Sequence, residues 1–384
     1  METLILGWYV LVETGSVLLL TVFGSLQFLG TLISPMFGVI GDRIGHRNLL
    51  LAMRAAYIVL ASNLMVLALS GLLGPVSVFI IAALMGLVRP SDLVMRNALV
   101  GETMPPGLLL GAMGVSRTTS DSARTAGSLA GAGLVAAFGI GPAYAVIAML
   151  YALSFLLTLG IAGAPAQNQA ALAQPRLSPW RDLKDGIVYV WTTPRLLAAM
   201  WLAFLVNLTA FPLSSGLLPY VARDVYHVGQ TGLGYLVASF AFGALLGSIA
   251  LSMTSRSIRP ARMMIIFCVT WYLMLLVFSQ AETALAGGIM LTLAGFMQSL
   301  GMVPMAVMLL RTSSEPFRGR VMGVRMLAVY GLPLGLLAAG WLIGRIGFAH
   351  AASLYCVIGL VFTLLIALRW RADLWRIDAV GNRQ

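Results

Sequence analysis

Three ionisable residues fall inside one of the apolar stretches of this chain, and their spacing is helical. Arg117, Asp121, Arg124, Thr125 and Ser128 stand at i, i+4, i+7, i+8 and i+11 within residues 109–137, so an α-helix would carry them as one polar stripe. Counting from Leu109 at ~1.5 Å per residue puts Asp121 ~18 Å deep, near the middle of ~30 Å of hydrocarbon. Charges at that depth are costly and must face a protein interior or a wet cavity. Two chemistries suit them. Asp121 can take up a proton or bind a solute, its proton affinity tuned by Arg117 and Arg124. Alternatively, the three form a structural Arg–Asp–Arg cluster that neutralises itself. The formal +1 left over invites a further acid or an anionic substrate. Gly127 and Gly131 border the stripe at the small-xxx-small spacing that lets helices approach closely, which makes packing their expected role.

Other polar residues at mid-span positions are Gln27, Asn63, Asn207, Thr209, Gln298 and Ser299. Of these, Gln27, Asn207 and Gln298 are kept as substrate- or proton-binding candidates, although each taken singly suits a hydrogen bond to a neighbouring helix. Met297, Met302, Met305 and Met308 can line an adaptable pocket, but they equally suit an ordinary core. The chain's single lysine, Lys184, follows Leu183, so no Gly-Lys-Ser/Thr phosphate loop is present. The three histidines, His46, His227 and His350, fall in loops or at span ends, and Cys268 and Cys356 fall inside apolar runs. Neither set has the spacing of a metal, haem or disulfide site. No cofactor, metal or enzymatic chemistry is expected.

The elements that must position these residues are membrane helices. With 60% hydrophobic residues, 10% charged residues and a mean hydropathy of +0.94, the chain cannot cover itself with a water-facing surface. Apolar runs lie near 17–37, 49–70, 75–95, 109–137, 142–162, 196–219, 230–252, 262–280, 284–310, 323–344 and 349–370. The net charge of +11 comes from loops. Arg117 and Arg124 fall inside the membrane, Arg223 and Arg345 on one side, and the remaining basic residues on the other, which is therefore cytoplasmic. Charges dealt out loop by loop are not a nucleic-acid face.

Residues 163–195 break the pattern as a polar linker, in which Trp180, Leu183, Ile187, Val190 and Trp191 recur at helical spacing opposite Arg181, Asp182, Lys184 and Asp185. That is an amphipathic surface helix over 180–191. The organisation read from this is a six-helix bundle over 1–162, a linker over 163–195, a second six-helix bundle over 196–370 and a cytoplasmic tail over 371–384. The halves repeat: Gly114-Val115 with Phe138-Gly139 answers Gly323-Val324 with Ile346-Gly347 at offsets of 209 and 208 residues.

The first helix is the exception. Fourteen residues before the Gly15-Ser16 turn reach ~21 Å, short of the ~30 Å needed. Met1 is accordingly read as an internal start, with about 10–25 residues missing upstream. Glu2 would then lie mid-membrane, facing Arg117 and Arg124. The alternative is a genuinely short helix that thins the bilayer or tilts toward water.

A charged hinge of about ten residues, Gly38-Val39-Ile40-Gly41-Asp42-Arg43-Ile44-Gly45-His46-Arg47, joins two of these runs as an antiparallel hairpin. Gly45 can supply a positive φ, Asp42 can meet a helix N-terminus, and Arg43 and Arg47 suit an anionic surface. The hinge resembles the loop between helices two and three of the major facilitator superfamily (MFS) of secondary transporters, matching at Gly38, Asp42, Arg43, Gly45 and Arg47. Arg318-Gly319-Arg320-Val321-Met322-Gly323 is similar to the loop before helix eleven in that superfamily's transmembrane effector branch, which includes enterobactin and macrolide exporters. Asp182 to Val190 resembles the branch's linker helix, and Thr231 to Ser248 its helix eight. Arg124 to Gly131 resembles the helix-five signature of exporters, with Ser128 at the usual proline.

The resemblance implies an all-α fold of about twelve helices in two bundles, the first helix truncated here. It also implies a gate formed by Gly38, Asp42, Arg43, Gly45, Arg47, Arg318 and Arg320, with Asp42 facing the helix start around Arg320 to Val324. The function expected is alternating-access secondary transport by a proton-coupled exporter of a small organic compound. Its partners would be that compound, protons and the lipid bilayer, and the chain would act as a monomer in the cell's inner or plasma membrane. A transport-inactive receptor or scaffold is the rival. A channel fits poorly, because no ring of like charges or filter-like segment is visible.

Overall fold

In the computed structural model the described backbone comprises residues 1–31, 44–103, 109–160, 179–253, 259–314 and 317–375. The protein is all-helical, and no strand occurs among the described residues. The helices are α1 (Glu2–Thr14), α2 (Val17–Leu26), α3 (His46–Leu69), α4 (Pro75–Thr103), α5 (Leu109–Phe138), α6 (Ile140–Leu159), α7 (Pro179–Thr192) and α8 (Pro194–Phe211). They continue with α9 (Gln230–Met253), α10 (Pro260–Ser279), α11 (Ala284–Thr312), α12 (Arg318–Ala328), α13 (Gly331–Ile346), α14 (Phe348–Arg369) and the short α15 (Arg371–Leu374). Among described residues, eight helical stretches are long and apolar enough to cross a membrane, and Val17–Thr31, Pro75–Arg89 and Thr125–Phe138 are shorter apolar helices.

Local sequence explains the breaks. Helix α1 stops at Gly15, whose φ of 62° is the left-handed value that glycine adopts without a Cβ penalty, and its N–H closes on the Leu11 carbonyl. Ser16 then caps α2 by accepting from the Leu19 N–H at 3.3 Å. The sequence predicts a span ending near residue 95, but α4 runs unbroken from Pro75 through Pro90 to Thr103. Helix α8 does not stop at Pro212. It continues to Val225 through two π-helical turns, Pro212–Gly216 and Val221–Val225, closed by Leu217 N–H to Pro212 O and Tyr226 N–H to Val221 O, both 2.9 Å. A proline without its N–H makes such a local widening the expected defect.

The chain forms two compact units, one of Met1–Arg181 with Pro219–Ala238 and one of Asp182–Leu218 with Ser239–Gln384. In the first, α3 packs along α6, and α2 with its following turn packs on α4. Tyr144, Phe23, Leu64 and Met95 are fully enclosed. In the second, α10 lies against α11 and α14, and α8 against α13 and α14. Trp271 and Tyr272 fill the space between, and the Tyr272 hydroxyl shares a 2.7 Å hydrogen bond with Thr209. Outward faces stay apolar, as at Leu153, Leu157, Val277, Leu334 and Leu365, which suits contact with lipid tails.

Glycine permits a close crossing in the second unit. A Cβ on Gly295 of α11 would run into the Phe240 carbonyl of α9, and one on Gly243 of α9 into the Thr292 carbonyl of α11. Backbone meets backbone there, so neither helix can yield by moving a side chain. Gly295→Val is expected to separate α9 from α11 at a cost of about 1–3 kcal/mol or more. Thermal melting in detergent should then fall by several degrees, and an unchanged melting temperature would refute this account of the crossing.

Candidate functional site

The first unit gathers polar side chains that its helices would otherwise strand among apolar neighbours. Helix α1 supplies Glu2 and Thr3, the end of α2 supplies Gln27, α4 supplies Arg89, and α6 supplies Tyr144 and Tyr151. Gln27 is 8% exposed, and its Oε1 accepts from the Thr3 hydroxyl at 3.0 Å and from the Arg89 guanidinium. Arg89 also donates to Thr3 Oγ1 at 3.0 Å. Below them the Tyr151 hydroxyl donates to Glu2 Oε2 at 3.1 Å, and the Tyr151 ring stacks on Tyr57 of α3 with centroids 5.1 Å apart. Glu2 Oε1 and the Tyr144 hydroxyl are closed off from solvent and have no hydrogen-bond partner among the described residues. Arg89 lies within electrostatic range of Glu2.

The result is a polar recess. Thr3 and Arg89 are exposed at its mouth, and Gln27 and the Glu2 carboxylate form its floor. A guanidinium at an open mouth can hold an anion or a carbonyl, while a carboxylate in the floor can exchange a proton or bind a cation.

A second layer continues along α4. Arg89, Asp92 and Arg96 stand at i, i+3 and i+7 and share a face. Asp92 pairs with Arg54 of α3 at 3.1 Å, both largely shielded, and Arg96 donates to the Ser120 hydroxyl of α5 at 3.2 Å. One face of α4 thereby ties α1, α2, α3 and α5 together through charge-assisted bonds.

The sequence-derived candidates are brought only partly into this arrangement. Gln27 belongs to the recess. Gly127 and Gly131 of α5 face Met1, and a Cβ on Gly131 would come within 3.0 Å of the Met1 Cα. Arg117, Asp121 and Arg124 lie on α5, but their side chains are outside the described residues. In the second unit Asn207 is buried on α8 and donates to the Ala203 carbonyl at 2.8 Å, a local bond of the kind expected of a lone amide. Gln298 is half-buried on α11.

Of the gate residues, Gly38, Asp42 and Arg43 are outside the described residues. Gly45 precedes α3 with φ 89°, and Arg47 in the first turn of α3 donates to the Leu159 carbonyl at the end of α6. Arg318 opens α12, with its side chain outside the described residues. Arg320 faces α7: it lies 3.9 Å from Asp185 and stacks over Phe317 at 5.0 Å.

Sequence reasoning passed over Arg89, Tyr151, Arg54 and Asp92. The sequence reading counts Arg89 among the cytoplasmic bases, near the end of the run over 75–95. The helical spacing of Arg89, Asp92 and Arg96 was the available signal. Glu2 is expected from the sequence to face Arg117 and Arg124, whose side chains are outside the described residues; Tyr151 and Arg89 lie beside it.

Comparison with known proteins accords with this architecture. No curated protein gives a significant sequence match. Among solved structures, a variant of the nucleoside transporter NupG is similar at 14% identity and TM-score 0.73, covering 97% of this chain and 95% of that one. A POT family transporter in complex with a thioalcohol-conjugated peptide is similar at 15% identity and TM-score 0.70, covering 93% and 87%. The inward-open xylose transporter XylE from E. coli follows at 12% identity and TM-score 0.68, covering 95% and 93%. At these identities the likeness establishes the fold. The sequence profile described as Major Facilitator Superfamily matches residues 3–332, and this multi-pass membrane protein therefore belongs to the Major Facilitator Superfamily.

Proposed function

We propose that the chain is an alternating-access secondary transporter that exports a small organic compound in exchange for protons across the cell membrane. The observation that carries this reading is the recess of the first unit, where the exposed Arg89 guanidinium stands above a carboxylate whose Oε1 has no partner among the described residues. Ionisable groups on membrane helices are costly, and by default they mark solute or ion pathways. Membership of a transporter superfamily supports the same conclusion, as do structural neighbours that include a proton symporter of D-xylose.

In this reading Arg89, Gln27 and Thr3 bind the polar part of the compound, and Asp121 on α5 carries the exchanged proton. The halves over 1–162 and 196–370 rock about the solute, with residues 163–195 as their connector. The hinge closes the cytoplasmic side through Asp42, acting on the helix start around Arg320 to Val324. The coupling requires the proton and the compound to use the same first unit, so that occupancy by one displaces the other.

Three outcomes test the reading in sealed vesicles, following pH-dye recovery and loss of the compound found by comparing cells with and without the protein. Arg89→Gln removes a charge-assisted bond worth about 1.5–3 kcal/mol, so the half-saturating concentration should rise roughly 10–100-fold. Asp121→Asn should abolish uphill export while leaving downhill exchange, and retention of full proton-driven export would remove Asp121 from the proton path. Asp42→Asn should slow turnover several-fold at normal expression, because a helix-terminus contact of ~0.3–2 kcal/mol is enough to shift the two-state population by that much. Wild-type turnover in that variant would defeat the gate assignment. Loss of all three effects, with no compound moved, would favour the receptor reading.

A further inference from the structure

Helix α7 lies over the junction of α8 and α12 and leaves an apolar groove of about 390 Å³, lined by Ile187 and Trp191 of α7, Leu197 and Trp201 of α8, and Val324 and Leu327 of α12. The helix is clamped rather than loosely laid down. Tyr189 stacks on Phe317 with centroids 4.3 Å apart, and its hydroxyl accepts the Ser314 N–H at 3.2 Å. These bonds from Ser314 hold the Tyr189 phenol below its ordinary pKa. Gly186 lets the backbone of α7 settle against Arg320, where a Cβ would come within 3.2 Å of the carbonyl oxygen. The groove is therefore a built feature of the second unit.

Its walls are apolar, but one end is basic. On α7, Lys184 precedes Ile187 and Trp191 at i, i+3 and i+7, so an exposed ammonium stands one turn before the lining residues on the same face. On α12, Arg320 precedes Val324 and Leu327 at i, i+4 and i+7 in the same way. Asp185 at 3.9 Å from Arg320 offsets part of this charge, so that two cations stand against one carboxylate among the described residues at this end. Two large amphipathic rings, Trp191 (65% exposed) and Trp201 (47% exposed), flank the opening, the placement favoured where hydrocarbon gives way to headgroups. Beyond Leu327 the same span carries further exposed apolar side chains, Leu334, Leu337 and Trp341 on α13, which suit contact with lipid tails.

We propose that this groove is a binding site for one anionic phospholipid of the leaflet on which α7 lies, with an acyl chain along α8 and α12 and the phosphate at Lys184 and Arg320. Apolar walls, a basic rim, interfacial tryptophans and the exposed apolar side chains beyond Leu327 match the two ends of that molecule and no uncharged lipid as well. The site goes beyond the transport reading and does not depend on it. Because the lipid would touch both the connector helix and the start of α12, its headgroup would compete with Asp185 for Arg320, and local lipid composition would bear on how firmly α7 is held.

Lys184 supplies the test, since it is the sole ε-amine of the chain. The full-length protein would be placed in nanodiscs of phosphatidylcholine alone or with phosphatidylglycerol at equal ionic strength. Acylation of Lys184 by a neutral amine reagent would be followed by peptide mass spectrometry, and retained lipids counted by native mass spectrometry. Phosphatidylglycerol should slow Lys184 acylation several-fold and leave one retained phosphatidylglycerol per chain. Both effects should vanish in Leu327→Trp, which fills the groove. Should that variant not fold, Ile187→Asp, which puts a carboxylate on the groove wall at a partly exposed position, serves the same purpose. Equal rates in the two lipids would overturn the proposal. So would slowing that persists unchanged in the groove variants, since that is the signature of general surface potential, or native spectra showing a second copy of the chain on this face in place of lipid.

Discussion

A polar group on a membrane helix has no water to turn to, and most of the first unit follows from that constraint. The Arg89 guanidinium is brought to Gln27 and Thr3, the Glu2 carboxylate to Tyr151, and Asp92 to Arg54. Each contact joins a different pair of helices, so meeting the polar demand also fixes how α1, α2, α3, α4 and α6 are arranged. The apolar contacts of Leu64, Met95 and Phe23 are compatible with several rotations of each helix, because lipid tails are as apolar as leucine. The charge-assisted bonds are not. The recess is thus both the specificity device of the bundle and its accessible polar surface.

The same constraint explains what could be read from the sequence. Element type was plain, because stretches of about 20 apolar residues can only be membrane helices in a chain so poor in charge. Motif likeness at the hinge and around Arg318 to Gly323 pointed to the family that the profile match establishes. What stayed hidden was partnership across helices. Tyr151 looks like one more aromatic in an apolar run, and nothing in one dimension tells that its hydroxyl will find Glu2, 149 residues earlier. Arg89 was misjudged for a different reason. The run over 75–95 ends soon after Arg89, which the charge distribution places with the cytoplasmic bases, whereas α4 runs on to Thr103, carrying Asp92 and Arg96 into the bundle. Gln27 and Asn207 look alike in sequence, each an amide between apolar neighbours, yet Gln27 bonds across helices to Thr3 and Arg89 and Asn207 bonds its own helix.

Helix α8 shows how the fold allows local change without unfolding. Its two π turns each leave one extra residue per turn, at Pro212–Gly216 and Val221–Val225. Just beyond the first, Pro219 lies against Gly7 of α1. Within the second, Arg223 donates to the Leu11 carbonyl at 2.6 Å, in the last turn of α1, where the partial negative charge of a helix C-terminus favours a cation. A regular helix over Val221–Val225 would rotate Arg223 relative to Pro219 by a fraction of a turn. The irregular turn at Val221–Val225 therefore sets how Arg223 meets α1. Because α1 also carries Glu2 and Thr3, a change in winding at Val221–Val225 would act on the same helix that forms the floor and mouth of the recess. Irregularity in this helix and polar chemistry in the first unit are thus linked through one short element, α1, which carries two polar side chains of the recess near one end and the Arg223 bond at the other.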